Sequence, residues 1–254
     1  MIVNVVTRAR YRAILTQDAR GRNRALAVRQ QCFRAGDPLR SDADPHDMGA
    51  QHLLIEDAAT GHVAACCRVL VLADGSGVLG SYSGQHYDLA ALARFSGAMM
   101  EVGRFCIHPG CRDPDVLRFA WAALTRLVDC HGVGMMFGCS SFAGISARIH
   151  QAAFADLAGD HLGPRAWLPA RKAAETVDLT DCGTGTDAGR AAMPPLLRGY
   201  LAMGGWVSDH AVIDRDLGTL HVFTALEVAA IPAGRARALR ALAAVIDFAE
   251  PVGD

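Results

Sequence analysis

The sequence predicts an α/β fold, because strand-type and helix-type patterns alternate along its centre. Residues 99–108 are apolar and extended in pattern, and a Pro-Gly pair ends this segment. A helix is predicted over about residues 113–130, since its apolar residues form one wide face and glycines follow it. Residues 133–139 are then a short buried strand. Strand, helix and strand therefore predict a β-α-β crossover with parallel strands.

The remaining patterns add helices, loops and strands on both sides of this crossover. No linker or internal repeat divides the chain, so we expect one domain over residues 1–254 with a core at about 25–228. The other predicted elements are an amphipathic helix or two within 11–33, an ordered loop over 34–47, strands over 52–56 and 62–72, a short helix starting at Pro194, and a closing strand over 220–228.

Composition excludes several classes of protein. The chain has 254 residues, of which 51% are hydrophobic and 20% charged, so it can bury a core and is not disordered. Its formal net charge of −1 provides no global basic field for nucleic acid. All the cationic residues except Lys172 are arginine. Because this bias extends over the whole chain, the abundance of arginine does not by itself identify an anion site.

Eight cysteines raise the question of a disulfide framework, but they form no C-x-x-C pair. Cys66 and Cys67 are adjacent in an apolar strand, where their side chains point to opposite faces. The start of the chain lacks the pattern of a signal peptide, and no run of about 18 apolar residues occurs. We therefore expect reduced thiols, no bilayer span, and a location in the cytoplasm or peripherally at the inner membrane.

The C-terminal segment over about 233–249 is predicted to be an amphipathic helix with Leu239, Leu242 and Ile246 on one face. Nearby arginines would suit contact with an anionic membrane surface. Packing against the rest of the protein is the favoured alternative, because the segment is short.

Two pairs of residues near the N-terminus are candidates for a functional site. Arg29 and Phe33 are four residues apart and share a helical face. In the following loop, Asp44 and Asp47 flank a proline as the N-cap and acidic third position of a short helix would. The same carboxylates are candidate substrate ligands, and the cap does not explain the additional Asp42.

Two further charged features lie within predicted strands. Arg68 lies in the apolar segment 62–72, where an isolated cation needs a partner or a cleft. Glu101 and Arg104 face opposite sides of a regular strand, but a bulge at Gly103 would bring them to one side and leave backbone N–H groups unpaired. Such groups can stabilise the oxyanion formed from a thioester carbonyl. The alternative is a buried structural network of the acid and the two arginines.

These features, taken in order, resemble the pattern of acyl-homoserine lactone synthases and their relatives. The wider sequence over about residues 25–228 resembles the ornithine N-acyltransferases that use acyl carrier protein, often called hemolysin-like. The first resemblance rests on Arg29-x-x-x-Phe33, Asp44-x-x-Asp47, Arg68 and Glu101-x-x-Arg104-Phe105; the second rests on QHLL at 51–54, YS at 82–83, YDL at 87–89, EVGR at 101–104, FGCSSF at 137–142 and PPLLRGYL at 194–201.

This resemblance implies an α/β fold with a GNAT-like twisted mixed sheet, a splayed central strand and flanking helices. It also implies transfer of a 3-hydroxy fatty acyl chain from acyl carrier protein to the α-amine of ornithine, which gives lyso-ornithine lipid. It implies no bound cofactor and no metal, because the donor is the acyl-phosphopantetheine arm of acyl carrier protein.

The resemblance also assigns roles to the motif residues as hypotheses. Glu101 would accept the amine proton directly or through a water. Arg104 and Arg68 would complete the catalytic group by fixing Glu101 or by binding the acceptor carboxylate or donor arm. Asp44 or Asp47 would receive the side-chain ammonium of the acceptor. The other predicted contact residues are Arg29, Phe33, Phe105 and Ser140 for the substrates, and Arg112 and Arg118 for acyl carrier protein.

The turn before the crossover helix distinguishes between two acyl donors. Acetyltransferases that use coenzyme A have a glycine-rich turn there, whose N–H groups bind pyrophosphate. In residues 109–115 of this chain, two carboxylates and a proline stand in place of those glycines, which favours protein-bound pantetheine over free coenzyme A. Three alternatives stay open: glutamine or another amino acid as acceptor, an acyl-homoserine lactone-type synthase acting on S-adenosylmethionine, and a Cys/His metal-binding module.

Overall fold

The structure is a computed structural model that describes residues 10–35, 37, 39–180, 192–244, 246 and 248. The chain divides into two compact units. Unit 1 contains the residues up to Val71, Val102–Gly132 and the residues from Ala233 onward, and unit 2 contains Leu72–Glu101 and Val133–Pro232.

Strands and helices alternate through the described residues, as the α/β prediction requires. The strands are β1 (Tyr11–Thr16), β2 (Gln51–Asp57), β3 (Val63–Leu72), β4 (Tyr87–Asp88), β5 (Ala98–Ile107), β6 (Val133–Ala143), β7 (Ala170–Arg171), β8 (Thr176–Asp178), β9 (Trp206–Asp214) and β10 (Thr219–Glu227). The helices are α1 (Ala19–Phe33), α2 (Tyr82–His86), α3 (Asp115–His131), α4 (Gln151–Asp160), α5 (Pro195–Ala202) and α6 (Ala233–Ala243).

Strand β5 contributes to the sheet of both units. In unit 1 the strand order is β1-β2-β3-β5, and in unit 2 it is β5-β6-β10-β9-β8. The antiparallel pairs are β1 with β2 and β2 with β3 in unit 1, and β6 with β10, β10 with β9 and β9 with β8 in unit 2. The crossover β5-α3-β6 joins parallel strands, which confirms that prediction. The GNAT-like mixed sheet with flanking helices is therefore the observed architecture.

The N-terminal prediction was wrong in one respect. Residues 11–16 form strand β1 rather than the start of a helix, and they pair with β2 from Tyr11↔Asp57 to Thr16↔His52. The sequence YRAILT buries Ala13 and Ile14 against the sheet, and pairing with a neighbouring strand overrides the helical spacing of these residues. Helix α1 then starts after Asp18, whose side chain accepts a hydrogen bond from the Gly21 N–H at 2.7 Å.

Other boundaries differ more modestly from the predictions. Strand β6 continues to Ala143, because β10 pairs with it as far as that residue. Strands β8 and β9 and helix α4 were not predicted. Helix α6 ends at Ala243, earlier than predicted, and Arg240 binds Asp129 of α3 at 3.0 Å, so this segment packs on unit 1.

Two irregularities interrupt β5: its register with β6 shifts between Ala98 and Met99, and Arg104, not Gly103, has a positive φ. The parallel pairs of β5 with β6 run from Ala98↔Val133 to Glu101↔Phe137. Arg104 then adopts φ 52°, in the left-handed region that a non-glycine residue enters at a cost of about 1–3 kcal/mol. A Cβ at Gly103 would be 3.7 Å from Arg68 Nη2, an ordinary contact. Gly103 itself does not have a positive φ.

Each unit has its own apolar core. In unit 1, Ile14, Val28 and Leu54 pack with the thiols of Cys66 and Cys106. In unit 2, two apolar clusters are centred on buried phenylalanines and leucines of β6, α4 and β10. The seven cysteines in the described part of the chain are all free, and Cys182 lies outside that part. None of the described helices is long and apolar enough to span a bilayer.

Candidate active site

Seven charged side chains of unit 1 form what we call the arginine–aspartate cluster. Helix α1 and the residue after it supply two of the arginines, β3 and β5 supply one each, and the loop between α1 and β2 supplies the aspartates. The cluster carries one more positive than negative formal charge. Its members are Arg29, Arg34, Arg68, Arg104, Asp42, Asp44 and Asp47.

Arg29 is the centre of the cluster and is entirely buried. Its Nε donates to Asp42 Oδ2 at 2.7 Å, its Nη1 to Asp47 Oδ1 at 2.6 Å, and its Nη2 to the Asp42 carbonyl at 2.7 Å. These bonds use the planar fork of the guanidinium, which holds two carboxylates in a fixed geometry. Arg34 Nε lies 3.6 Å from the other Asp42 oxygen. Helix α1 is thus joined ionically to the loop that follows it.

Asp44 is at the less buried end of the cluster. Arg68 Nη1 donates to Asp44 Oδ1 at 2.5 Å and to Asp47 Oδ1 at 3.1 Å. Arg104 Nη2 lies 3.2 Å from Asp44 Oδ2, and its Nε lies 3.4 Å from Asp42 Oδ2. The Asp44 side chain is 17% exposed, against 0% for Asp42 and 3% for Asp47. Asp44 is therefore the carboxylate of the cluster that is most accessible to solvent.

The backbone of the loop also depends on these aspartates. Asp44 caps the short 3-10 helix Pro45–Asp47 by accepting the His46 N–H at 2.9 Å, and Asp47 accepts the Asp44 N–H at 2.9 Å. The predicted cap is confirmed, and the same two carboxylates bind the arginines. Local folding of the loop therefore orients both carboxylates.

The electrostatics of Asp47 follow from these contacts. Burial alone would raise its pKa, but the hydrogen bonds from Arg29 and from the Asp44 N–H, together with the charges of Arg29 and Arg68, lower it to about 2. Asp47 is consequently ionised at neutral pH. For the neighbouring His52, burial has the opposite effect and lowers the pKa, since the charged form of histidine is the protonated one. His52 Nε2 lies 3.3 Å from the Asp47 carbonyl.

Glu101, in unit 2, is held by a different set of donors. Its Oε1 accepts the Ser83 N–H at 2.7 Å and the Ser83 hydroxyl at 2.6 Å, and its Oε2 accepts the Tyr82 N–H at 3.1 Å. The residue is 3% exposed. Two of these donors belong to the first turn of α2, where unsatisfied N–H groups and the helix dipole favour an anion. The carboxylate is thus oriented by neutral groups.

Neighbouring side chains of unit 2 hold Ser83 and α2 in place. The Cys139 thiol donates to the Ser83 hydroxyl at 3.6 Å, which makes a chain of three groups ending at Glu101. The Ser81 hydroxyl caps α2 by accepting the Gly84 N–H at 3.1 Å. Lys172, the only lysine, donates to the Gly84 carbonyl at 2.6 Å. The orientation of Glu101 therefore depends on a small polar network.

The predicted site residues fall into groups. Arg29, Arg68 and Arg104 meet Asp44 and Asp47 in the cluster, whereas Glu101 has its donors in Ser83 and Tyr82. The remaining predicted residues lie elsewhere. Phe33 packs beside the core of unit 1, and Phe105 is half-buried. Ser140 is buried and accepts a hydrogen bond from the Thr224 hydroxyl at 2.9 Å, whereas Arg112 and Arg118 are exposed, and Arg118 pairs with Asp115 at 3.0 Å.

Sequence reasoning missed Asp42, Arg34 and Ser83 as members of these networks. Asp42 was noticed as an acid that the cap did not explain, which was the available signal. Ser83 belongs to the YS motif at 82–83 that carries the family resemblance, but no role was assigned to it. Arg34 carried no comparable signal, since a single arginine after a helix is common on protein surfaces.

The N-terminal end of α3 holds a carboxylate of the chain itself. Asp113 Oδ1 accepts the Asp115 N–H at 2.9 Å, and Asp113 Oδ2 accepts the Tyr11 hydroxyl at 2.9 Å and lies 2.9 Å from Arg10 Nη1. The hydrogen bond from Asp115 is the main reason that the pKa of Asp113 is lowered. Among the described residues, no group of three or more His, Cys, Asp or Glu side chains is arranged to hold a metal ion.

Comparison with known proteins identifies the family. The profile of an acetyltransferase (GNAT) domain matches residues 26–122. The chain is 31% identical over 199 residues to L-ornithine N(alpha)-acyltransferase of Rhodobacter capsulatus, with 76% of each chain covered. It is 31% identical over 200 residues to the protein of the same name from Brucella abortus, with 74% of this chain and 70% of the relative covered.

Among solved structures, the chain is similar to a CoA-dependent acyl-homoserine lactone synthase, with 14% identity, a TM-score of 0.48, and 96% of this chain and 95% of that chain covered. The two ornithine acyltransferases are much nearer in sequence, and the match spans most of their length. This chain therefore belongs to the L-ornithine N(α)-acyltransferase family and is an acyltransferase enzyme.

Proposed function

We propose that this protein transfers a 3-hydroxy fatty acyl chain from acyl carrier protein to the α-amine of L-ornithine, forming lyso-ornithine lipid. The observation that carries the acceptor is the 31% identity to two relatives named L-ornithine N(alpha)-acyltransferase over about three quarters of this chain. The donor and the hydroxylated chain are the finer part of the proposal and are argued below.

Glu101 is proposed as the proton acceptor. An α-amine attacks a thioester only when neutral, and its reference pKa is about 8, so a nearby base can supply the neutral form at physiological pH. The amine adds to the thioester carbonyl, and backbone N–H groups stabilise the oxyanion. The C–S bond then breaks, so the acyl group stays on nitrogen and the pantetheine thiol leaves. The Ser83 and Tyr82 donors support this role, because they hold the carboxylate in one orientation.

The arginine–aspartate cluster is proposed to recognise the acceptor. Asp44 is its most exposed carboxylate and would bind the side-chain ammonium of ornithine. Arg104 and Arg68 are the nearest guanidinium groups to Asp44 and would bind the α-carboxylate of the acceptor. Glutamine has no side-chain charge, so the Asp44 contact would distinguish the two acceptors.

Acyl carrier protein is proposed as the donor in preference to coenzyme A. In a GNAT enzyme that uses coenzyme A, the N–H groups at the start of the crossover helix bind pyrophosphate. In this chain, the Asp115 N–H is bonded to the Asp113 carboxylate, which is negatively charged and would repel that group. A phosphopantetheine arm attached to a protein carries no pyrophosphate and avoids this repulsion.

The test is an acyl-transfer assay with the purified full-length chain. Each reaction pairs one donor, 3-hydroxyacyl-acyl carrier protein, unsubstituted acyl-acyl carrier protein or 3-hydroxyacyl-CoA, with one acceptor, L-ornithine, L-glutamine or S-adenosylmethionine. We expect a product with the mass of N-acylornithine and a kcat/KM that is highest with the hydroxylated protein-bound donor. Equal rates with the CoA donor would remove the donor proposal, and a product only with glutamine or S-adenosylmethionine would remove the acceptor.

Docking of the acidic carrier protein is proposed at Arg112 and Arg118. We expect the double variant Arg112→Glu/Arg118→Glu to raise KM for acyl-acyl carrier protein by about tenfold without changing KM for a short acyl-pantetheine. Arg215→Glu is the matched control, because Arg215 is also exposed and paired with an acid, Glu175, but lies in unit 2. Equal losses with both donors would contradict docking at these arginines.

A further inference from the structure

The thiol of Cys139 has no role in the reaction proposed above, although it belongs to the FGCSSF motif at 137–142 that carries part of the family resemblance. The motif lies in β6, within unit 2. Cys139 is partly buried and forms no disulfide, and it packs beside an apolar cluster that contains Phe137 and Phe223. A thiol in such a place is available for proton transfer.

The sheet places Cys139 on the same side as Glu101. Glu101 is the partner of Phe137 in the parallel pairing of β5 with β6. Paired residues of neighbouring strands point to one side of a sheet, and residues two apart on one strand do so as well. Cys139 follows Phe137 by two positions, so its thiol and the Glu101 carboxylate share one side of the sheet.

Ser83 of α2 connects these two groups. Cys139 Sγ donates to Ser83 Oγ at 3.6 Å, and Ser83 Oγ donates to Glu101 Oε1 at 2.6 Å. A hydroxyl both donates and accepts hydrogen bonds, so it can pass a proton in either direction. The chain Cys139–Ser83–Glu101 therefore joins the proposed base to a second group that can hold a proton.

The proposed reaction needs an acid as well as a base. When the C–S bond of the thioester breaks, its electron pair stays on the pantetheine sulfur, which needs a proton to leave as a thiol. Pantetheine is an alkyl thiol like cysteine, whose reference pKa is about 8.5. A proton passes between two such sulfur atoms at little cost in free energy, as efficient acid catalysis requires.

We propose that Cys139 is the general acid that protonates the departing pantetheine sulfur; this inference rests on the proposed function. Glu101 takes a proton from nitrogen as the amine adds. The C–S bond breaks, its electron pair goes to the pantetheine sulfur, and this sulfur takes the Cys139 proton. Ser83 then gives its proton to the Cys139 thiolate and takes the one on Glu101. One proton thus moves from the amine to the departing thiol, and the three residues return to their initial states.

The test compares two donors whose leaving groups differ in acidity, an acyl-pantetheine and an acyl thioester of thiophenol. Thiophenolate is a much weaker base than the pantetheine thiolate and leaves without a proton. With L-ornithine as the acceptor, Cys139→Ala should lower kcat by about two decades with acyl-pantetheine and by less than about twofold with the thiophenol ester. Cys130→Ala is the control, because Cys130 is an exposed thiol of unit 1 and its loss should not change either rate.

Cys139→Ser separates acid catalysis from a structural role. The serine hydroxyl can keep the hydrogen bond to Ser83, but a hydroxyl is a much weaker acid than a thiol. We therefore expect Cys139→Ser to lose as much activity with acyl-pantetheine as Cys139→Ala does. Circular dichroism checks that both variants are folded before their rates are compared.

Three results would overturn the inference and leave the proposed function intact. They are a full rate of Cys139→Ala with acyl-pantetheine, a full rate of Cys139→Ser with that donor, and equal losses of Cys139→Ala with the two donors. If the parent chain makes no N-acylornithine from acyl-acyl carrier protein, the proposed function fails, and the inference fails with it.

Discussion

The arginine–aspartate cluster and the Glu101 site bury carboxylates in opposite ways. In the cluster, three aspartates are neutralised by four guanidinium groups, and Arg29 and Asp42 are wholly buried. At Glu101, the donors are two backbone N–H groups and the Ser83 hydroxyl, none of which carries a formal charge. The first arrangement depends on ionised partners, and the second on the position of helix α2.

This difference predicts different roles for the two groups of residues. A buried ion-pair network is costly to break, because removal of one partner leaves an uncompensated charge. Replacement of a carboxylate that is held by neutral donors leaves no opposite charge unpaired. We therefore expect changes in the cluster to act on stability and acceptor binding, and changes at Glu101 to act on turnover.

The largest effect is expected for Glu101→Gln. Glutamine keeps the shape and can accept both Ser83 bonds, but it cannot take the amine proton, so kcat should fall by about two to four decades. The measurement is the initial rate of acyl transfer, with thermal unfolding of the same sample as the control. A full rate in a folded variant would show that Glu101 only anchors α2.

Arg29→Met should cause the largest loss of stability. It leaves Asp42 and Asp47 buried without their main counter-charge, and loss of one partner from such a network costs about 3–5 kcal/mol. Urea unfolding measures the loss. Arg118→Met is the control, because Arg118 forms an exposed pair with Asp115 whose loss should cost less than about 1 kcal/mol. Equal losses in the two variants would contradict a structural role for the cluster.

Acid should weaken the cluster through Asp47. Because the pKa of Asp47 in the folded protein is lowered from 3.8 to about 2, its stabilising contribution is present above about pH 4 and is lost as the pH falls through 2. The free energy of unfolding, measured in steps from about pH 5 to about pH 2, should therefore decline, and the decline should be shallower in Asp47→Asn. An identical slope in the variant would assign the acid sensitivity to other carboxylates.

Asp44→Asn should have the smallest effect on stability and a specific effect on substrate. Asparagine is a good N-cap, and Asp44 is the most exposed carboxylate of the cluster, so the loss should be about 1 kcal/mol. The KM for ornithine should rise by about tenfold, whereas the KM for the acyl donor should not change. An unchanged KM for ornithine would place the ammonium contact elsewhere.

Much of the fold followed from local patterns. The crossover β5-α3-β6 was predictable because residues 115–131 repeat apolar side chains on one helical face and the flanking segments are apolar and extended. Strand β1 was not, because its six residues also fit a helical spacing and only pairing with β2 decides between the two. The distortion of β5 was assigned to Gly103 by conformational preference, yet the positive φ is at Arg104, whose side chain is held by Asp42 and Asp44.

The amino-acid order alone determined which residues are candidates for the chemistry and how the 3-10 helix at Pro45 is capped, because capping depends on contacts within three residues. Only the tertiary structure decided the partners of those residues. The aspartates are bound by arginines from α1, β3 and β5, Glu101 is bound by Ser83 from α2, and the distant thiols of Cys66 and Cys106 meet in one core. Contacts between residues far apart in the chain follow from the packing of whole elements, and no local spacing records them.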